Sequence, residues 1–294
     1  MPTETRRGVI ADLITASRPL SWVNTAFPFA AAYLLTTREV DLTFIVGALF
    51  FLVPYNLAMY GVNDVFDYAS DAANPRKGGA EGALLVPARH RITIIAAIVL
   101  CLPFVIALVA VGDPASWAVL AVSLFAVAAY SVPGLRFKEI PFLDSLTSSV
   151  HFVSPAVYGL VLAGAAFTPQ SVALLLAFLA WGIASHAFGA VQDIVPDREA
   201  GIASIATVLG AARTVRFAIV MWAAAGLLTL ATSWPGPLAA VLVLPYIATA
   251  APFVRLDDAD SGNANAGWKR FLAINYVVGF LVTMLLIWYA AITA

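Results

Sequence analysis

Charged residues are scarce in this chain: only 11% of its 294 residues are Asp, Glu, Lys or Arg. Soluble domains contain about 25% charged and ~45 to 50% apolar residues, whereas 62% of this chain is apolar. This composition excludes a water-soluble globule. The formal net charge is −1, so the chain also lacks the excess of positive charge that a nucleic-acid-binding surface requires. We therefore expect no nucleic-acid partner.

The sequence also lacks a pair of cysteines and the pattern of a cleaved signal peptide. Cys101 is the single cysteine, so an intrachain disulfide is excluded. The first eighteen residues contain Arg6, Arg7, Asp12 and Arg18, and they hold no uninterrupted apolar core followed by a small-residue cleavage site. We therefore expect no cleaved signal peptide.

Apolar stretches of bilayer length recur along the whole chain. A transmembrane helix needs ~20 mostly apolar residues, and breaks rich in glycine and proline separate the stretches. The predicted spans are 20–37, 42–62, 92–112, 115–132, 142–164, 171–191, 213–233, 237–254 and 271–292. The sequence thus predicts an all-α, polytopic membrane protein with nine transmembrane helices, forming a single domain over residues 1–294.

The basic residues predict the orientation of these spans. With nine spans, 15 of the 16 Lys and Arg residues fall on one side of the membrane, and only Arg38 falls on the other. Cytoplasmic loops carry an excess of Lys and Arg. We therefore predict a multi-pass protein of the cell membrane with a cytoplasmic N-terminus and an external C-terminus.

An acidic cluster follows the second predicted span. Asp64, Asp67 and Asp71 are spaced by three and four residues, so a regular helix would place them within an arc of about 60°. Two unit charges ~6 Å apart repel by roughly 3 kcal/mol at an effective dielectric of 20, so a cation is expected among them. Mg²⁺ suits an all-oxygen site and is commonly held by one or two carboxylates, water and substrate phosphate.

A second acidic cluster follows the sixth predicted span. Asp193 and Asp197 are four residues apart, and Pro196 cannot donate a hydrogen bond to the Gln192 carbonyl, so we expect the helix to kink or end here. Ionisable groups at this depth are rare and usually functional. The two aspartate clusters lie at matching depth and are suited to bind opposite sides of one polyanion through metal ions.

Basic residues accompany both clusters. They are Arg76, Lys77, Arg136, Lys138 and Arg198. Because Arg and Lys bind phosphate oxygens strongly, this combination favours a Mg²⁺-diphosphate complex over a bare cation. The acidic segment 257–263 is predicted to be a solvated loop.

These motifs resemble the UbiA superfamily of intramembrane prenyltransferases. Residues 63–71 match its NDxxDxxxD motif, and residues 193–201 match the DxxxDxxxG form. Residues 130–138 are similar to its YSxP loop with a basic end, and Arg18-Pro19 is similar to its N-terminal RP element. The resemblance covers nearly the whole chain.

The resemblance implies a Mg²⁺-dependent prenyltransferase in which nine helices surround a central cavity and both motifs bind Mg²⁺ and the diphosphate of an allylic donor. The implied metal ligands are Asp64, Asp67, Asp71, Asp193 and Asp197. The implied catalytic residues are Asp64, Asp67, Asp193 and Tyr130. The implied substrate-binding residues are Asn63, Arg76, Lys77, Arg136, Lys138 and Arg198.

The loop after the first motif bears on the acceptor. Residues 74–79 read Asn-Pro-Arg-Lys-Gly-Gly and resemble the corresponding loop of the actinobacterial lycopene elongases. This implies transfer of a dimethylallyl group to lycopene, a lipophilic acceptor, in carotenoid biosynthesis.

Two alternatives are kept. One is an aromatic-acid or quinone-precursor polyprenyltransferase. The other is an ion-coupled secondary transporter, although a transporter would place its charges near the bilayer midplane and beside interrupted spans.

Overall fold

The structure, a computed structural model, describes residues 8–73 and 84–293. Every regular element in these residues is a helix, which confirms the predicted all-α class. The chain forms two compact units, one comprising Met1–Arg136 and Ser154–Ala165 and the other Phe137–Val153 and Ala166–Ala294. The single domain remains a prediction.

The first unit holds the earlier helices of the chain. They are α1 (Val9–Ala16), α2 (Trp22–Thr37), α3 (Leu42–Leu52), α4 (Pro54–Asn56), α5 (Val62–Phe66), α6 (Tyr68–Ala73), α7 (Pro87–Val111) and α8 (Pro114–Ser131). The final part of α9 (Leu143–Leu162) also belongs to this unit.

The first unit packs around buried aromatic rings. Phe51 lies 5.1 Å from Tyr55 and 5.9 Å from Tyr158, measured between ring centroids, and all three side chains are buried. Gly159 allows α9 to approach α2 closely, because a Cβ atom there would lie 2.7 Å from the Phe29 carbonyl oxygen. These contacts hold α2, α3, α4 and α9 together.

The second unit holds the remaining helices. They are α10 (Pro169–Val191), α11 (Ile194–Glu199), α12 (Ile205–Leu209), α13 (Ala211–Thr229), α14 (Leu244–Ala250) and α15 (Ala264–Ile292), with a 3-10 helix at Gly236–Val243 before α14. Its core is a stack of large rings in which Trp222 lies 5.6 Å from Tyr246 and 6.0 Å from Phe271.

Polar caps set where several spanning helices begin. The Asp41 carboxylate accepts the Phe44 backbone N–H at the start of α3, and Asp113 accepts that of Ser116 at the start of α8. These bonds stabilise the ionised carboxylates and therefore lower the pKa of both groups below the ordinary aspartate value. Pro114 follows Asp113 at the first helical position, where a missing N–H costs nothing.

The spans agree with the predicted ones. In the described residues, eight helical segments are long and apolar enough to cross a membrane, and they coincide with the second to ninth predicted spans. The first predicted span corresponds to α2, whose 16 residues make it about 24 Å long. The protein is therefore a multi-pass membrane protein.

Candidate active site

The helix that leads into the first aspartate motif is broken before it reaches the motif. Pro54 begins α4 without a backbone N–H to donate, and a π-helical turn at Leu57–Gly61 separates α4 from α5. The Asn56 side-chain amide donates to the carbonyls of Phe51 (2.8 Å) and Leu52 (3.1 Å) and to Thr25 Oγ1 (2.6 Å). Asn56 is fully buried, so its side chain supplies hydrogen bonds where the regular ladder is interrupted.

A second interruption lies inside the motif. Asp67 forms a turn between α5 and α6. The expectation that one regular helix carries Asp64, Asp67 and Asp71 is therefore wrong, because the chain changes helical type before the motif and turns within it. Asp71 lies on α6, and its side chain is outside the described part of the structure.

Asp64 is a buried carboxylate with an arginine partner. Only 1% of the residue is exposed, and its Oδ1 accepts a hydrogen bond of 2.8 Å from a terminal nitrogen of Arg18. The Arg18 guanidinium carbon lies 4.3 Å from the centroid of the Tyr60 ring, a cation–π contact. The cation that the sequence required near this carboxylate is thus provided, in part, by the protein itself.

Asp67 also faces a guanidinium group. Asp67 is 7% exposed, and its Oδ1 lies 3.7 Å from a terminal nitrogen of Arg136. Arg136 follows α8 with a backbone φ of 42°, in the left-handed region that non-glycine residues rarely adopt. The predicted diphosphate ligand Arg136 therefore lies beside the predicted metal ligand Asp67.

Asn63 is joined to the end of α8. Ser131 Oγ donates a hydrogen bond of 2.8 Å to Asn63 Oδ1, which links the YSxP segment to the first motif. Tyr130, the preceding residue, is half-buried on the same helix. Ser131 was not among the predicted site residues. Its position next to Tyr130 in the YSxP segment was the one sequence feature that could have indicated its role.

The second motif lies at a helix break, as the sequence predicted. Helix α10 ends at Val191, and α11 begins at Ile194 with Pro196 in its first turn. Asp193 and Asp197 are both half-buried, and the Asp197 N–H donates to the Asp193 carbonyl over 2.9 Å. These carboxylates are more accessible than Asp64.

Arg198 makes contacts that are structural. One terminal nitrogen lies 2.8 Å from Asp258 Oδ2, and the other donates to the Thr207 carbonyl over 2.7 Å. Asp258 Oδ1 in turn accepts the Ala211 backbone N–H at the start of α13. The segment 257–263 is exposed at five of its seven residues, as predicted, but it is not a simple loop, because Asp258–Asn263 is a 3-10 helix and Asp258 anchors both Arg198 and α13.

The other predicted basic ligands divide into two groups. Lys138 lies half-buried in a 3-10 turn, Phe137–Glu139, of the second unit. Arg76 and Lys77 lie outside the described residues. Their roles toward a diphosphate remain predictions.

The donors of the first motif fit Mg²⁺. Asp64, Asp67 and Asn63 present only oxygen acceptors or an amide, and a pair of carboxylates completed by water and phosphate is a usual Mg²⁺ environment. In the part of the chain that the structure describes, no three His, Cys, Asp or Glu side chains gather closely enough to hold a metal by themselves. Asp64 and Asp67 would therefore supply part of a Mg²⁺ coordination shell, with water and phosphate supplying the rest.

Two known proteins are similar to this chain over nearly its whole length. The chain is 55% identical over 282 residues to the C(50) beta-cyclic carotenoids biosynthesis protein LbtBC of Dietzia sp. (strain CQ4), which covers 96% of this chain and 65% of that protein. It is 48% identical over 278 residues to a lycopene elongase/hydratase of Corynebacterium glutamicum, with 94% and 96% covered. The chain therefore spans just under two thirds of the Dietzia protein and nearly all of the Corynebacterium protein.

Among solved structures, the fold is similar to that of a UbiA homolog from Archaeoglobus fulgidus bound to DMAPP and Mg²⁺. The TM-score is 0.62 at 18% identity, with 91% of this chain and 98% of that chain covered. The sequence pattern of the UbiA prenyltransferase family matches residues 25–275. These matches confirm the resemblance that the two aspartate motifs indicated, and the chain belongs to the UbiA prenyltransferase family.

Proposed function

We propose that this enzyme transfers a dimethylallyl group from its diphosphate to lycopene in a Mg²⁺-dependent step of carotenoid biosynthesis. The observation that carries the proposal is the near-complete burial of Asp64 and Asp67 at the end of an apolar span, each beside a guanidinium group. Such a site suits an anionic head group whose hydrocarbon tail stays in the membrane. The names of the Dietzia and Corynebacterium relatives support the carotenoid acceptor.

The proposed metal ligands are Asp64, Asp67 and Asp71 in the first motif and Asp193 and Asp197 in the second. When bound, Mg²⁺ would neutralise the charge that develops on the diphosphate as the allylic C–O bond breaks. We propose that both motifs serve this one step. The Archaeoglobus homolog bound to DMAPP and Mg²⁺ supports the choice of metal and donor.

The basic and polar residues would hold the diphosphate and fix its orientation. Arg136 already lies beside Asp67, so a diphosphate bound there would meet a guanidinium group without a large rearrangement. Lys138, Arg76 and Lys77 are proposed to add positive charge, and Arg198 to support the second motif. Preorganised charge of this kind is a large term in catalysis, because no reorganisation is required as the leaving group becomes an anion.

Asn63 and Tyr130 are proposed to orient the reacting groups. Ser131 holds the Asn63 side chain by its carbonyl oxygen, which leaves the amide N–H₂ directed away from that bond. The electron pair of the broken bond leaves with the diphosphate, and the π electrons of an acceptor alkene form the new C–C bond. An apolar surrounding protects the cationic carbon from water during this step. The carbocation that the new bond leaves on the acceptor is discharged by loss of a proton or by addition of water.

Product analysis tests this proposal. Membranes containing the protein are given labelled dimethylallyl diphosphate with lycopene, and separately a long polyprenyl diphosphate with an aromatic acid, each with Mg²⁺ or with a chelator. We expect label in the carotenoid fraction only, with the mass of lycopene raised by five-carbon units, with or without added water, and no label after chelation. An unlabelled carotenoid fraction with a prenylated aromatic acid would establish the quinone-type alternative instead.

We also propose that the protein lies in the cell membrane with its N-terminus in the cytoplasm. The support is the distribution of its basic residues, of which 15 of 16 fall on one side for nine spans. In a Cys101→Ser background, intact cells carrying Thr3→Cys or Ala294→Cys are treated with a membrane-impermeant maleimide. We expect labelling at residue 294 alone, and labelling at residue 3 alone would reverse the orientation.

A further inference from the structure

Arg18 holds an unusual position next to the first motif. Its backbone φ is 51°, in the left-handed region, and it immediately precedes Pro19, where an extended conformation is the usual one. Non-glycine residues seldom adopt such a conformation unless surrounding contacts stabilise it. The contacts of Arg18 include those with Asp64 and Tyr60.

Arg18 and Asp64 form a charge-assisted hydrogen bond at a site that is largely shielded from water. The Asp64 side chain is fully buried and that of Arg18 is 22% exposed, and their closest atoms are 2.8 Å apart. A carboxylate removed from water is strongly unfavourable without a counter-charge. Arg18 therefore stabilises the ionised carboxylate of Asp64.

The same carboxylate is the proposed ligand of a divalent cation. A cation bound to Asp64 would lie beside the guanidinium group, and like charges at short range in a poorly solvated site repel strongly. The two cations therefore compete for one carboxylate. The Tyr60 ring, 4.3 Å from the guanidinium carbon, adds to the stability of the arginine-bound state.

We propose that Arg18 is a built-in counter-cation of Asp64 that Mg²⁺ must displace to bind the first motif. This inference rests on the proposed function, because it takes Asp64 as a metal ligand. Mg²⁺ alone then binds weakly, since the 2.8 Å bond between the guanidinium group and Asp64 must break. A diphosphate that arrives with the metal offers that group another anion, so metal and diphosphate bind cooperatively.

Calorimetric titration of the purified, metal-free protein with Mg²⁺ alone tests the proposal without any turnover. We expect Arg18→Gln to bind Mg²⁺ about 10-fold more tightly than the unaltered protein, as expected from removing a competing ion pair worth ~1.4 kcal/mol. Inorganic diphosphate should strengthen Mg²⁺ binding to the unaltered protein by a larger factor than to Arg18→Gln.

Arg89→Gln is the matched control. Arg89 pairs with Asp12 at 2.9 Å in the same unit, with side chains 28% and 19% exposed. This variant should bind Mg²⁺ as the unaltered protein does. Should Arg18→Gln fail to fold, Tyr60→Leu provides the second test, because it removes the ring beneath the guanidinium group, together with its hydroxyl, and should raise Mg²⁺ affinity by about 2- to 3-fold.

The two possible failures are distinguishable by Asp64→Asn. If Asp64→Asn abolishes Mg²⁺ binding while Arg18→Gln and Tyr60→Leu leave the affinity unchanged or lower, the competition proposed for Arg18 is overturned and the metal assignment stands. If Asp64→Asn binds Mg²⁺ as tightly as the unaltered protein, the metal assignment itself is overturned, and the inference with it.

Discussion

The two aspartate motifs differ in how their charges are balanced. In the first, Asp64 and Asp67 are at most 7% exposed and each lies beside an arginine. In the second, Asp193 and Asp197 are half-buried, and the arginine of that motif, Arg198, is bonded to Asp258 and the Thr207 carbonyl. The first motif is desolvated and lies beside two arginines, and the second is more accessible, with its arginine bonded to Asp258 and Thr207.

This difference predicts unequal consequences of removing a charge. A carboxylate that is buried and paired supports both the fold and the chemistry, whereas a half-buried carboxylate supports mainly the chemistry. The amino-acid motifs alone do not distinguish these cases, because both consist of aspartates spaced three or four residues apart.

The largest expected effect is on turnover. Asp64→Asn and Asp193→Asn should each lower kcat by at least ~100-fold, because each removes a charge that stabilises the leaving diphosphate. Label transfer from dimethylallyl diphosphate to lycopene measures this loss, and Asp12→Asn serves as the control. Retention of activity in both variants would remove the metal assignment.

Asp64→Asn and Asp193→Asn should also differ in their effect on the stability of the fold. Without metal, Asp64→Asn is expected to lower the free energy of unfolding by about 1–2 kcal/mol, because it replaces a buried carboxylate bonded to Arg18 with a neutral amide. Asp193→Asn should leave it nearly unchanged. Thermal unfolding in detergent compares them, and equal Tm values would show that the motifs do not differ as described.

The next effect concerns the break before the first motif. Asn56→Ala should destabilise the protein by about 1–3 kcal/mol, because its buried amide bonds two carbonyls and the Thr25 hydroxyl. Asn265→Ala, which removes a side-chain bond to Gln192 next to the second motif, is the comparison and should cost less. A larger loss in Asn265→Ala would reverse the proposed order.

A smaller effect is expected at Ser131. Ser131→Ala removes the hydroxyl that donates to Asn63, and a single hydrogen bond worth about 1 kcal/mol corresponds to a roughly 5-fold loss of kcat/KM. Ser185→Ala removes a bond within its own helix and should not change the rate. An unchanged rate in Ser131→Ala would mean that Asn63 needs no such support.

The smallest effect is expected at Arg198. Because its side chain is 45% exposed, Arg198→Gln should lower stability by less than ~1 kcal/mol. Its contacts with Asp258 and Thr207 predict that the KM for dimethylallyl diphosphate changes less than in Lys138→Gln. A larger rise in KM for Arg198→Gln would show that Arg198 binds the diphosphate directly, as the motif resemblance implies.

Much of the fold was predictable from the sequence. Hydrophobic runs of bilayer length located the spans, and residues without a free N–H, such as Pro114 and Pro196, marked where helices begin or break. The two motifs predicted the family because their spacing is specific. Helix type was not predictable, since the π-helical turn at Leu57–Gly61 depends on buried contacts of Asn56 with another helix.

The partners of the charged residues were the other part that the sequence did not reveal. Arg18 and Asp64 are 46 positions apart, and Arg198 and Asp258 are 60 apart, so only the fold brings each pair together. Repulsion among carboxylates correctly indicated that a cation was needed. It did not indicate that arginines supply part of that charge, or that Asp258 serves as an anchor.

The most direct test of the central claim, that both motifs serve one Mg²⁺-dependent step, is a double-variant cycle in kcat. Asp64→Glu and Asp193→Glu keep the charge while displacing it, and each is expected to lower kcat about 10- to 100-fold. If the motifs act as a unit, the double variant should be only a few-fold slower than the slower single variant. A loss equal to the product of the two single losses would show that the motifs act independently and would contradict the account.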